Sequence, residues 1–254
     1  MMNEDRILEV RHYSKRYRKG LSTFEAVRDV SFSVGRGEIL GIVGESGSGK
    51  STMLKSIACL ENPSAGEIFL NGRDISRARS GDVCRELQMV FQDPARSFDP
   101  RMKTGDSVRE SLRKLTGLRG EAAEARVLEL CELTGLAPEL ADRYPGGISG
   151  GQCQRFAIAR ALAAEPKLLL CDEVTSALDV LVQAQIISLL ADLQKRLGLS
   201  IVFVSHDIAL VSEFCDRILV MKNGREIEQG PAREIVRDPS DEYTRQLLGS
   251  VLTF

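Results

Sequence analysis

Gly44, Glu45, Ser46, Gly47, Ser48, Gly49, Lys50 and Ser51 fit the spacing G-x-x-x-x-G-K-[ST], and Thr52 extends the same group. Glycines at these positions let the backbone curl until successive N–H groups converge on an anion. The lysine ammonium can then reach the β- and γ-phosphates of a nucleotide, and the serine hydroxyl is a hard oxygen donor suited to Mg²⁺. A second group, Asp172-Glu173, closes the apolar run Leu168-Leu169-Leu170-Cys171. Asp172 is suited to holding Mg²⁺ through water and Glu173 to polarising a water for attack on phosphorus. Seen alone, paired acids at a strand end are more often a solvated turn. A phosphate loop upstream is the context that favours catalysis.

The elements that must position these groups follow from the apolar runs. Residues 39–43 form a short apolar run directly before the loop, and 52–57 read as a helix after it, which is the strand-loop-helix setting the motif requires. Residues 168–171, following Pro166, read as a buried parallel strand. Ligands in open α/β sheets collect at the carboxyl ends of strands, so Asp172 and Glu173 are expected beside the loop. Ser149-Gly150-Gly151 opens a helical run over 152–164, which sets a small hydroxyl and backbone N–H groups at a positive helix end. Strands are expected at 201–205, ahead of His206, and at 217–222, with a turn at Asn223-Gly224 into 225–228.

Toward the N-terminus, 7–10 and 26–34 contain short β-rich segments with Lys15-Arg16-Tyr17 between them, and 67–70 reads as a strand before the Asn71-Gly72 turn. Residues 106–115 and 121–134 have helical spacing, with Val127, Leu130, Cys131 and Thr134 on one face. The alternation of strand and helix elsewhere argues an α/β chain with a mostly parallel sheet.

Composition narrows the function classes. A chain of 254 residues can bury one substantial core, or a core with an inserted subdomain. Its net charge of −2 implies no strong attraction to nucleic acid or acidic lipid. No apolar stretch approaches the roughly 18 residues that span a bilayer, and residues 1–6 lack a signal-peptide apolar region, so a soluble cytosolic chain is expected. Cys59, Cys84, Cys131, Cys153, Cys171 and Cys215 show no C-x-x-C pair and no clustering with histidine, which argues against a disulfide or metal framework. Cys59, Cys131 and Cys171 sit among apolar residues and read as core groups. Cys153 stands beside a motif, and a redox role there requires a lowered thiol pKa.

Ile148-Ser149-Gly150-Gly151-Gln152 resembles the L-S-G-G-Q signature of ATP-binding cassette (ABC) proteins. Gln92 in Val90-Phe91-Gln92-Asp93-Pro94 resembles that family's Q-loop, Ser176-Ala177-Leu178-Asp179 its D-loop, and His206 in Val204-Ser205-His206-Asp207 its switch histidine. The resemblance runs over nearly the whole chain. It implies one P-loop NTPase cassette spanning 1–254: a RecA-like core with an antiparallel β-subdomain (about 1–91 and 160–235), an inserted helical subdomain (about 92–159) and a tail (about 236–254).

It further implies ATP and Mg²⁺ as ligands. Ser51, Gln92 and Asp172 would hold the metal, and Glu173, His206 and Gln92 would be catalytic. Ser149, Gly150, Gly151, Gln152 and Asp179 would close over the ATP of a second subunit paired head to tail. Tyr17 resembles the aromatic that stacks on adenine; the alternative is an ordinary surface tyrosine. For His206 the alternative is a core histidine.

The implied partners are a second ABC ATPase subunit, identical or not, two transmembrane permease subunits that face the helical block and, indirectly, a solute-binding protein, with no nucleic acid. The implied location is cytoplasmic, peripheral on the inner face of the cell membrane. Ser176 to Ile186, Asp99-Pro100-Arg101 and the tail Glu242-Tyr243-Thr244-Arg245-Gln246-Leu247-Leu248 resemble cassettes of oligopeptide, dipeptide and nickel importers. The alternatives are a cassette of the carbon–phosphorus lyase (phosphonate) pathway and a soluble, non-transport ABC ATPase. The chain departs from the family at Val174, where proline is usual, at Ile148 and at Cys153. None of these changes removes a phosphate or metal contact.

Overall fold

A computed structural model describes residues 5–20, 22–176 and 178–251. Ala177 of the expected D-loop and the last three residues of the expected tail lie outside the described residues. The chain divides into two compact units, one made of the residues up to 83 together with those from 200 onward, the other of residues 84–199.

In chain order, the first unit begins with β1 (Arg6–Lys19), β2 (Ser22–Gly35), β3 (Ile39–Val43), α1 (Lys50–Ile57), β4 (Ala65–Leu70), β5 (Arg73–Asp74) and the short α2 (Ser80–Val83). The second unit follows, with β6 (Leu87–Val90), α3 (Thr104–Leu115), α4 (Gly120–Leu133), α5 (Gly150–Leu162), β7 (Leu168–Asp172) and α6 (Val180–Leu197). The chain then completes the first unit through β8 (Ser200–Ser205), α7 (Ile208–Phe214), β9 (Arg217–Lys222), β10 (Arg225–Pro231), α8 (Ala232–Arg237) and α9 (Glu242–Val251).

In the first unit β3 pairs in parallel with β8 on one side and β9 on the other, and β10 runs antiparallel to β9. Every residue of β3 and of β8 is buried, as expected of parallel strands covered on both faces. A separate antiparallel sheet has the order β2-β1-β4-β5. Its first two strands are 14 residues each, far longer than the β-rich segments read from the sequence, and residues 15–17 lie within β1 rather than between strands. Bulges hid this length. The register shifts between Val10 and Tyr13 and again between Tyr13 and Lys15, and His12 (φ 49°) and Asp29 (φ 50°) are left-handed. Each bulge breaks the alternation by which a strand is recognised. Tyr13, fully buried, joins this sheet to α1 through a 2.6 Å hydrogen bond with Ser56 Oγ.

The second unit holds the parallel pair β6–β7 and the helices α3 to α6. β7 is buried throughout. Arg109 of α3 pairs with Asp106 on its own helix and with Glu124 of α4. Arg160, near the end of α5, donates to the carbonyl (2.6 Å) and hydroxyl (2.9 Å) of Ser97 and lies 4.4 Å from the centre of the Phe98 ring. That guanidinium therefore ties α5 to the segment that follows Gln92. Burial lowers its pKa below the usual arginine value.

Candidate nucleotide site

The phosphate loop links the carboxyl end of β3 to the start of α1, and glycine is required at two of its positions. Gly44 has φ 152°, and a Cβ there would lie 2.1 Å from the Met221 carbonyl; Gly49 has φ 101°, and a Cβ would lie 2.7 Å from the Ala26 carbonyl. The backbones of β9 and β2 thus crowd the loop where only a bare Cα fits. Glu45, Ser46 and Gly47 are exposed at the crest, whereas Ser48 and Lys50 are buried. The Lys50 ammonium donates to the carbonyls of Gly44 (2.7 Å) and Glu45 (2.9 Å) and to Ser48 Oγ (3.4 Å), so it is held across the loop. Ser51 and Thr52 open α1, half-buried. The first N–H groups of a helix lack intrahelical partners, and the helix dipole adds positive potential there.

His206 follows β8 directly. Val43 pairs with Ser205, so the histidine emerges from the strand next to the one that delivers the loop. It is exposed, which sets aside the core-histidine alternative. Asp207 behind it caps α7 by accepting from the Leu210 N–H at 3.1 Å. Tyr17 is half-buried on β1; its hydroxyl donates to Glu61 (2.5 Å), and the Lys15 ammonium lies 5.2 Å from the ring centre. Burial is the main influence raising its pKa.

In the second unit the parallel register sets Val90 beside Cys171, so Gln92 and Glu173 leave adjacent strand ends. Gln92 Nε2 donates to the Glu173 carboxylate at 2.9 Å and to Ser176 Oγ at 3.3 Å, while Ser176 Oγ donates to the Glu173 carbonyl at 3.0 Å. Asp172 is buried and Glu173 half-buried. Glu173 has φ 48°, a left-handed conformation that costs a residue with a Cβ and that recurs at functional sites. Ser176 as the bridge between these groups was not foreseen as a site residue. Val174 is buried, where a valine is at home.

The signature opens α5 with a reciprocal cap. Ser149 Oγ accepts from the Gln152 N–H (3.2 Å), and Gln152 Oε1 accepts from the Ser149 N–H (2.9 Å). This is the capping box that the S-x-x-Q spacing encodes, a local signal legible in the sequence though not among the expectations above. Ser149 keeps its hydroxyl proton for donation, and the amides of Gly150 and Gly151 occupy the first turn. Leu178 packs on Gly150 and Val182 on Gly151, where an added Cβ would lie 2.6 Å from Val182 Cγ1. Asp179 is the N-cap of α6, accepting from the Val182 N–H at 3.0 Å. Cys153, just inside α5, is buried, and burial pushes its thiol up to about 11, against a reactive thiolate. Gln154 beside it is wholly buried, and both polar atoms of its amide lack a hydrogen-bond partner among the described residues.

Among the described residues no helix is long and apolar enough to cross a membrane. The family model described as ABC transporter matches residues 27–176. The oligopeptide transport ATP-binding protein OppF of Haemophilus influenzae is 43% identical over 98% of this chain and 79% of its own length. OppF of Bacillus subtilis is 43% identical over 97% of this chain and 83% of its own length. Among solved structures, a dimeric ATP-binding cassette in a post-hydrolysis state with ADP and Pi superposes with a TM-score of 0.81 at 32% identity, covering 89% of this chain and 99% of that one.

Proposed function

From the premise that the chain belongs to the ABC transporter family, we propose that it is the ATP-hydrolysing subunit that powers uptake of peptides through a membrane complex. The observation that carries the hydrolytic reading is the Gln92 amide on the Glu173 carboxylate at 2.9 Å, at the ends of two neighbouring parallel strands. An amide donor holds a carboxylate in one rotamer, and a carboxylate so held can orient a water and accept its proton. Lys50, the loop amides and the start of α1 bind the phosphates. Tyr17 supports the adenine, and His206 contacts the γ-phosphate.

Ser51 and Gln92, and Asp172 through water, would hold Mg²⁺: all three offer hard oxygens, the kind that Mg²⁺ selects beside waters and phosphates. When bound, the ion neutralises charge on the β- and γ-phosphates. The signature residues Ser149 to Gln152 serve the nucleotide of a second cassette: the capping box occupies the Gln152 amide, and the Gly150 and Gly151 amides at the positive end of α5 are suited to an anion. The D-loop residue Asp179 belongs to the same seam. The helical block at about 92–159 docks a cytoplasmic helix of a membrane subunit, in a complex with two permease subunits, so that the chain works at the inner face of the cell membrane, and a solute-binding protein delivers the cargo.

Peptides are preferred over nickel chelates and over a carbon–phosphorus lyase role because the relatives matched over nearly all of this chain are named for oligopeptide transport. Glu173→Gln is expected to retain ATP binding and to lose turnover by roughly 10²–10⁴ in the assembled complex. Turnover equal to the parent refutes the assignment. For transport, cysteines placed at Ser97 and Met102 in a variant lacking the native cysteines are expected to cross-link to the permease subunits encoded nearby. No cross-link in a complex that still hydrolyses ATP favours the soluble ABC reading.

A further inference from the structure

We infer that the C-terminal helix α9 is a working part of the phosphate loop, and that Tyr243 is a positioning residue that fixes the Gly44–Glu45 peptide and, through it, the ammonium of Lys50. The Glu45 N–H donates to the Tyr243 hydroxyl at 3.2 Å, across 198 residues of sequence. The Gly44 carbonyl, which accepts from Lys50 at 2.7 Å, belongs to the same planar peptide unit. One peptide plane is thus gripped at both edges, by the lysine on its carbonyl and by the tail tyrosine on its N–H. It cannot turn without breaking one bond or the other.

Tyr243 is itself firmly delivered. The residue is 5% exposed, and the Lys222 ammonium lies 4.0 Å from the centre of its ring. Lys222 ends β9, and its neighbour Met221 is the residue whose carbonyl crowds Gly44. On β10, Glu228 accepts from the N–H and hydroxyl of Ser240, each at 2.8 Å, and from the Asp241 N–H at 3.3 Å; Asp241 in turn accepts from the Tyr243 N–H at 2.7 Å. This chain of bonds fixes where α9 begins and so where the hydroxyl lies. Packing alone would be served as well by phenylalanine; the N–H of Glu45 needs an oxygen.

The inference rests on the nucleotide reading of the loop, and the experiment separates the two. The purified full-length chain carries Tyr243→Phe, Glu228→Ala or Lys50→Ala. Amide hydrogen exchange is followed at Glu45 and through α9, and affinity is measured for a fluorescent ATP analogue with Mg²⁺. For Tyr243→Phe the expectation is faster exchange at Glu45, unchanged protection of α9 and an affinity roughly two- to tenfold weaker, the loss of one neutral hydrogen bond. Glu228→Ala is expected to loosen α9 and weaken affinity in the same direction. Wild-type exchange and affinity in Tyr243→Phe overturn the proposal. So does melting of α9 in that variant, which makes the tyrosine a packing residue, and so does a loosened α9 in Glu228→Ala at unchanged affinity. If Lys50→Ala itself binds the analogue normally, the nucleotide reading fails instead.

Discussion

Replacing Glu173 by alanine and by glycine separates what its carboxylate does from what its backbone costs. A residue with a Cβ held at φ 48° is strained by roughly 1–2 kcal/mol. Glycine relieves that strain, but its freer unfolded chain takes back roughly 0.4–1 kcal/mol. The Glu173→Gly variant should therefore be at least as stable as the Glu173→Ala variant, by about 0–1.6 kcal/mol and centrally about 0.8 kcal/mol, or up to about 6 °C in melting temperature for a chain of this size. The control is Ala122, exposed in the first turn of α4, where alanine to glycine is expected to cost up to about 1 kcal/mol, the helix-interior value. Melting curves of the isolated chain without nucleotide read both sites, and the sign should reverse between them. The same sign at 122 and 173 refutes the argument, because it means that the backbone of Glu173 is not held in the left-handed region. Both Glu173 variants should lose hydrolysis in the assembled complex by the factor expected for a missing general base, so a glycine that stabilises the chain while abolishing turnover would mark strain kept for function.

Three further outcomes are expected. His206→Ala should leave ADP affinity and melting temperature unchanged while lowering turnover; parallel losses of ADP affinity and stability would count against a γ-phosphate role for His206. Cys153, buried with its thiol near 11, is protonated in all but under about a thousandth of molecules at about pH 7.5. Iodoacetamide at that pH should spare it in the native chain and modify it once guanidinium unfolds the protein, with native alkylation at a rate like that of half-buried Cys84 counting against this. Gln154→Met replaces a buried amide without partners among the described residues by an apolar chain of similar length and should raise the melting temperature, since each unmet group costs about 1–3 kcal/mol. A fall would show that the amide is satisfied.

What was legible in the sequence was local. The phosphate loop, the all-buried β3 and β7 and the acids that end β7 were each readable within a short window, because apolar runs and glycine spacing state backbone requirements directly. β6 was not legible: four residues with buried ends and half-buried middle carry no period to detect. Its register against β7 is what brings Gln92 to Glu173, so the bond that organises the candidate catalytic carboxylate depends on strand pairing across 81 residues of chain. The contact of Tyr243 with Glu45 was hidden for the same reason. The tail read as a mark of the importer branch, and nothing in its composition says which backbone group its tyrosine would meet.

The second unit also shows where a chain departs from its own rules. α3 and α4 follow them: Arg109 meets two carboxylates, and the polar faces of both helices carry paired charges. Between β6 and the acid end of β7 the rules lapse. Gln154 is buried without partners among the described residues, Arg160 is a half-buried cation held by serine oxygens and an aromatic ring, and Glu173 is left-handed directly after a buried strand. Other left-handed residues have local reasons: Asn71 and Asn223 precede glycines in turns, His12 and Asp29 sit at the bulged pairing of β1 with β2, and Cys59 and Glu165 lie just past the C-terminal ends of α1 and α5. Glu173 has none of these. A chain selected for stability alone would relax such positions by single substitutions, so their concentration on the acid end of β7 and on α5 argues that this region is shaped by what it must do with a nucleotide.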